Sequence, residues 1–279
     1  MKKVKKVNYG LNWQKELAHR KPTDYLGAAG GTCIAQIPLE EREMSLPEGE
    51  RQNIGSEKLD CASRSVNNIM EAKLNWLIKN DKLPKAQLDF LQKYLVNGKV
   101  ELSDRWIAIK SGTDPDSGNS LVAPCDALHN FGIVPKSLFP QVESKEEYYG
   151  TENITPEIEK LAKESLTLFS FKYARLNESE MPQWLQKDML NVGAYAWPAP
   201  IDGEYPRVPY QPNHAFVVFN TPLYMAFDNY EESEGDFVKK LASDYDFLDT
   251  GYRLIISLKT PGKKMSWLDL IKAFFGNHG

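Results

Sequence analysis

Three short runs late in the chain, AFVVFN, YMAFDNY and YRLIISL, are dense in Val, Ile, Phe and Tyr and are separated by turn residues. Such composition reads as antiparallel strands. Everything before them has a different texture. From Cys61 the apolar residues Ala62, Val66, Ile69, Met70, Leu74, Leu77 and Ile78 fall at helical spacing, which predicts one long helix with a single buried face and Asp60 as its N-cap. Helices first and strands afterwards is the α+β pattern.

Further helices are expected over about Lys85 to Val96, over LVAPCDALHNF closed by Gly132, over ITPEIEKLAKESL with Pro156 in its first turn, and over MPQWLQKDMLNVG stopped by Gly193. Residues 1–50 read as an irregular N-terminal arm, or a propeptide, laid over a main domain at 51–260. Residues 261–279, with Met265, Leu268, Ile271 and Phe275 on one face, read as an amphipathic tail helix.

Composition excludes several functions. A net charge of -4 over 279 residues gives no basic footprint for nucleic acid. No apolar run approaches the roughly 18 residues of a membrane span, and MKKVKK is followed by no signal-like apolar core. A soluble protein, inside a cell or in a virus particle, is expected. Three cysteines, with no CxxC pair, no HExxH and no Cys/His cluster at zinc spacing, argue against both a disulfide framework and a metal site. No cofactor is expected.

The thiols and imidazoles then narrow the chemistry. Cys33 and Cys125 sit as small packed residues would. Cys61 opens the long helix, where first-turn N–H groups and the helix dipole favour a thiolate and hence a low-pKa nucleophile. Such a nucleophile needs a base. Of the four histidines, His19 and His278 lie in terminal segments and His129 is mid-helix, whereas His214 opens the strand AFVVFN. The imidazole needs an acceptor behind it, which either Asp228 or Asn229 on the next strand can supply; alternation allows only one to face it. Gln52, in the loop before Cys61, carries an amide that could donate to an oxyanion.

Read in chain order, Gln, Cys at a helix start, His at a strand start and then Asp/Asn, the sequence resembles the papain-like cysteine peptidases. CASRSVNNIME, LSDRWIAIKSG, ALHNFGIVPKSLFP, NHAFVVFN and AFDNYEES are similar to that family's corresponding stretches, in order, across about residues 50 to 258. LPEGERQ, SGTDPDSGNS and GIVPKSLFP look most like divergent members from bacteriophages and some bacteria. There are departures. Eight residues separate Gln52 from Cys61, a longer loop than the family's, which leaves the reach of the glutamine open. Ala62 replaces a tryptophan, Asp-Asn-Tyr stands for Asn-Ser-Trp, and WPAPIDGEYPRVPYQPN reads as a remodelled loop beside the cleft.

The resemblance implies two subdomains meeting at a cleft and peptide-bond hydrolysis through Cys61, His214 and Asp228, or Asn229 in its place, with Gln52 at the oxyanion. A peptide or protein substrate is implied, virion proteins among the partners. Two rival expectations remain open: an amidase or endopeptidase acting on cell-wall peptides, and a papain-fold structural or virion component with little activity.

Overall fold

A computed structural model describes residues 9–21, 34–208, 210–231, 234–245, 247 and 251–259. The expected tail helix at 261–279, MKKVKK, Cys33 and His278 lie outside these. The helices are α1 (Trp13–His19), α2 (Arg42–Ser45), α3 (Cys61–Lys79), α4 (Lys85–Leu91), α5 (Asp104–Lys110), α6 (Val122–Phe131), α7 (Lys145–Tyr149), α8 (Pro156–Leu168) and α9 (Met181–Leu185). The strands are β1 (Leu95–Val96), β2 (Lys99–Val100), β3 (Phe169–Leu176), β4 (Leu190–Ala194), β5 (His214–Asn220), β6 (Tyr224–Phe227), β7 (Val238–Leu241) and β8 (Gly251–Leu258). Strands β1 and β2 form a small hairpin; the others form an antiparallel sheet in the order β3-β8-β4-β5-β6-β7. The α+β expectation is met, with the helices α3 to α8 on one side and the sheet on the other.

Helix α3 packs on β5, and this contact joins the two sides. Both faces of β5 are covered, which explains why AFVVFN does not alternate with polar residues. Ala215, Val217 and Phe219 point into the main core with α3, while Phe216 and Val218 join a second cluster with Leu185, Leu190 and Tyr205.

Three sequence expectations need correction. The helix expected over about Lys85 to Val96 ends at Leu91, and Leu95–Val96 is strand β1. Strand β4 occupies Leu190–Ala194, where a helix stopped by Gly193 was expected; only Met181–Leu185 is helical, and Gly193 pairs with Ala215 inside the sheet. The apolar residues of LNVGA suit a strand buried on both faces as well as a helix, and periodicity cannot separate the two. Helix α3, moreover, does not have a single buried face: every residue from Cys61 to Leu74 is buried.

Its polar residues are paired instead of solvated. Lys73 Nζ donates to Asp188 Oδ1 at 2.5 Å and to the Ala35 carbonyl at 2.7 Å. Arg64 reaches Asp60 at 2.9 Å and Asp104 at 3.0 Å, and Glu71 accepts from Leu102 N–H at 2.6 Å. Removing Lys73 takes from the buried Asp188 its hydrogen-bonded cation and leaves it only Arg253, 3.6 Å away. Lys73→Ala is therefore expected to lower unfolding free energy by about 3–5 kcal/mol, read from a urea titration; a loss under about 1 kcal/mol would show the pair to be solvated.

Candidate active site

Cys61 is the first residue of α3 and is fully buried. Asp60 stands at the N-cap position as expected, but its side chain makes no capping bond. Its carboxylate turns to Arg64 and the Tyr148 hydroxyl, and the first turn is closed by backbone bonds from Ser63 and Arg64 to the Asp60 carbonyl. The backbone N–H of Ala215, the residue after His214, acts on the sulfur, and α3 packs on β5, so the helix tip and the mouth of β5 are neighbours. Burial pushes the thiol well above its ordinary value; the Ala215 bond opposes this, and the charges of Asp60, Glu57 and Asp228 add to it. The direction is opposite to the low-pKa thiolate expected from the helix start, because burial disfavours the charged sulfur.

His214 Nε2 donates to Asp228 Oδ1 at 2.5 Å, and both residues are buried. A carboxylate only accepts, so Nε2 carries the proton and Nδ1 keeps its lone pair. Nδ1 has no hydrogen-bond partner among the described residues. The arrangement leaves one basic nitrogen free on a ring whose other nitrogen is held. Asp228 Oδ2 accepts from Trp197 Nε1 at 2.8 Å and lies 3.4 Å from Lys239 Nζ, while Oδ1 also accepts Asn229 N–H at 2.7 Å. Burial alone would raise the Asp228 pKa, but the His214 charge and hydrogen bond, with Lys239 and the Asn229 N–H, hold it below the usual carboxylate value. Asn229 faces elsewhere: its amide donates to the Glu50 carbonyl at 3.0 Å and accepts from Asn68 at 3.2 Å.

Gln52 is buried and lies next to Tyr9, whose ring packs on His214. The amide Nε2 donates to the Tyr9 carbonyl at 3.0 Å and to Glu57 Oε1 at 2.5 Å. The other histidines lie apart, with His19 Nδ1 3.0 Å from Ser120 Oγ and His129 Nδ1 2.6 Å from the Phe171 carbonyl. Cys125 is buried and its thiol bonds the Leu121 carbonyl one helical turn back, as a packed residue would.

Four residues near the site escaped the sequence reading. Trp197 comes from the remodelled loop and stands edge-on to His214 at 5.9 Å between centroids, shielding the His–Asp pair. Lys239, on β7, is buried behind Asp228. Tyr230 packs against His214 at 5.3 Å. Tyr9 packs on both rings, at 5.3 Å from His214 and 5.1 Å from Tyr230. Trp197 and Tyr230 lie in the loop and in the Asp-Asn-Tyr stretch that the sequence singles out, whereas no local pattern marks Lys239 or Tyr9.

Tyr9 belongs to a short strap tied down beside these residues. Tyr9 N–H and Leu11 N–H both donate to the Asn213 carbonyl, at 3.3 and 3.2 Å, and the Gly10 carbonyl accepts from Asn119 N–H at 2.8 Å. The strap so spans from the segment before α6 to the residue preceding His214. Gly10 has φ +107°, and a Cβ there would lie 2.3 Å from the Leu59 carbonyl oxygen, so only glycine fits. Behind the strap, in α1, the buried Glu16 accepts from the N–H groups of Leu121 and Val122 at 2.8 and 3.3 Å and from the Tyr252 hydroxyl at 2.8 Å.

The comparisons fit this geometry. No protein-family model and no curated protein sequence matches the chain. Solved structures do. The proform of the ragweed pollen cysteine protease Amb a 11 superposes with a TM-score of 0.56 at 11% identity, over 93% of this chain and 71% of that one. Procathepsin L 3 of the Tenebrio molitor larval midgut gives 0.53 at 14%, over 89% and 76%. The clostridial cysteine protease Cwp84 gives 0.51 at 13%, over 79% and 58%.

The chain has the papain-like fold. Within it Asp228 bonds the His214 imidazole, and the indole of Trp197 comes to the same carboxylate from the loop. Among the described residues no group of His, Cys, Asp and Glu could hold a metal ion, and no helix is long and apolar enough to cross a membrane.

Proposed function

We propose that this protein is a thiol peptidase of the papain-like type, held latent by its own N-terminal strap. The observation that carries the reading is the His214–Asp228 pair, with Nδ1 unclaimed, at the start of the strand on which the Cys61 helix packs. In the open state Nδ1 takes the Cys61 proton and the sulfur attacks a peptide carbonyl. The imidazolium, stabilised by Asp228, then protonates the leaving amine, and water releases the acyl group from sulfur. In this reading Gln52 and the Cys61 N–H hold the oxyanion. In the closed state the Tyr9 carbonyl occupies the Gln52 donor and its ring covers His214.

Latency is supported by the fit of the strap and by two of the similar structures being a proform and a procathepsin. The substrates are peptides or proteins; in the bacteriophage setting that the sequence resemblance implies, virion proteins would be the natural ones.

Gly10→Ala tests the reading in the full chain. The added methyl meets the Leu59 backbone, and the positive φ costs roughly 1–2 kcal/mol more for alanine than for glycine. The open fraction is expected to rise about tenfold or more, since 1.4 kcal/mol is a factor of ten. Iodoacetamide labelling mapped to Cys61 and hydrolysis of unfolded casein should both accelerate. The labelling midpoint should also fall from above the ordinary thiol value of about 8.5 towards or below it as the groove opens. If neither the wild type nor Gly10→Ala cleaves casein, the structural-component reading gains; cleavage of cell-wall stem peptides alone would favour the amidase.

A further inference from the structure

The loop that leads into Cys61 carries a carboxylate that the mechanism above does not use. Glu57 Oε1 accepts from Gln52 Nε2 at 2.5 Å and from Leu59 N–H at 3.0 Å, and Oε2 accepts from the Tyr230 hydroxyl at 2.5 Å. All three donors are neutral. Lys58, beside it in the chain, turns away to the carbonyls of Ile54, Ser56 and Glu143, and no ion pair to Glu57 is present among the described residues. One oxygen therefore grips the oxyanion glutamine and the other a tyrosine that packs on His214.

A primary amide is nearly symmetric in shape, yet only its NH2 end can serve an oxyanion. Both groups that face Gln52 Nε2, the Tyr9 carbonyl and the Glu57 carboxylate, are acceptors, so the nitrogen must occupy that place. The opposite end, Gln52 Oε1, is buried without a partner, as expected of an amide whose orientation is imposed from the nitrogen side. The two N–H groups divide the work: one is tied to Glu57, and the other meets whatever carbonyl lies in the groove.

We propose that Glu57 is a positioning residue: it locks the Gln52 amide so that, when Tyr9 withdraws, one N–H stays aimed at the oxyanion of a bound substrate. The inference rests on the peptidase reading. Without the carboxylate the amide rotates and for part of the time presents its carbonyl oxygen, which repels the oxyanion. The loss falls on the transition state and leaves substrate binding alone.

The test is a double-mutant cycle in the full-length Gly10→Ala chain, measured as steady-state hydrolysis of a fluorogenic peptide. Glu57→Ala should lower kcat about 10- to 100-fold, somewhat less than removal of an oxyanion donor itself. KM should stay within about twofold, and in a Gln52→Ala background the same change should cost less than about twofold more, because the two act as one unit. Glu57→Gln, which keeps the shape and one acceptor oxygen, should recover part of the rate and guards against a folding defect in the alanine variant. Alkylation of Cys61 by iodoacetamide forms no oxyanion and should not slow. A kcat unchanged by Glu57→Ala, or an equal loss with and without Gln52, would overturn the assignment while leaving the peptidase standing. A Gly10→Ala parent with no hydrolysis would overturn both.

Discussion

Cys61→Ser, placed in the released Gly10→Ala chain, is expected to lose more than about 10,000-fold in kcat/KM while keeping its fold, the size of effect that follows loss of a nucleophile. The two side chains are close to isosteric and the site is fully buried, so packing changes little. The Ala215 backbone bond that meets the sulfur can meet a hydroxyl. What changes is acidity: an alcohol holds its proton too firmly for His214 to remove it without a site built for that task. Casein hydrolysis and thermal unfolding together check the claim, and more than about one percent residual activity would move the nucleophile elsewhere.

The second large effect is expected at Asp228. Asp228→Asn should lower kcat/KM about 1,000- to 10,000-fold, through the wrong tautomer of the imidazole. Its Oδ2 faces two donors, the Trp197 N–H and the charged Lys239 ammonium, which outweigh the single Asn229 N–H at Oδ1, so the new amide turns its oxygen that way and its NH2 towards His214. An NH2 group there forces Nε2 to accept, which puts the ring proton on Nδ1 and removes the base. Stability changes too. The wild-type carboxyl is held below its ordinary value, so its contribution is fully present above about pH 4 and is lost as pH falls through the lower folded value. Asp228→Asn should remove that acid limb from a plot of stability against pH. Asp228→Ala should be worse for folding, by about 3–5 kcal/mol, because Lys239 is then a buried charge without its carboxylate.

Several parts of this fold could be read in the chain because they are local. Helix α3 shows its period, β5 and β6 show their β-branched and aromatic density, and Cys61 and His214 are set apart by where they stand on those elements. Other parts are decided by partners far away in sequence. LNVGA becomes β4 only because β5 and β8 receive it on both sides. The polar residues of α3 look like a wet face until Asp188 and Asp104 are seen opposite them. The choice of Asp228 over Asn229 depended on which face of the sheet the imidazole took. The strap has no pattern at all: NYGLN acquires meaning from Asn119 and Asn213, which lie more than 100 residues on.

Glu16 bears on how the latch can open. Its carboxylate satisfies the first N–H groups of α6 and the hydroxyl of a buried tyrosine, work that belongs to the permanent framework and not to a removable plug. A protease that trimmed the chain beyond it would leave those donors stranded inside the molecule. Release is therefore expected to act ahead of Trp13, by clipping or by peeling back residues 9–11 about Asn12 as a pivot, with α1 staying docked like the fixed leaf of a door.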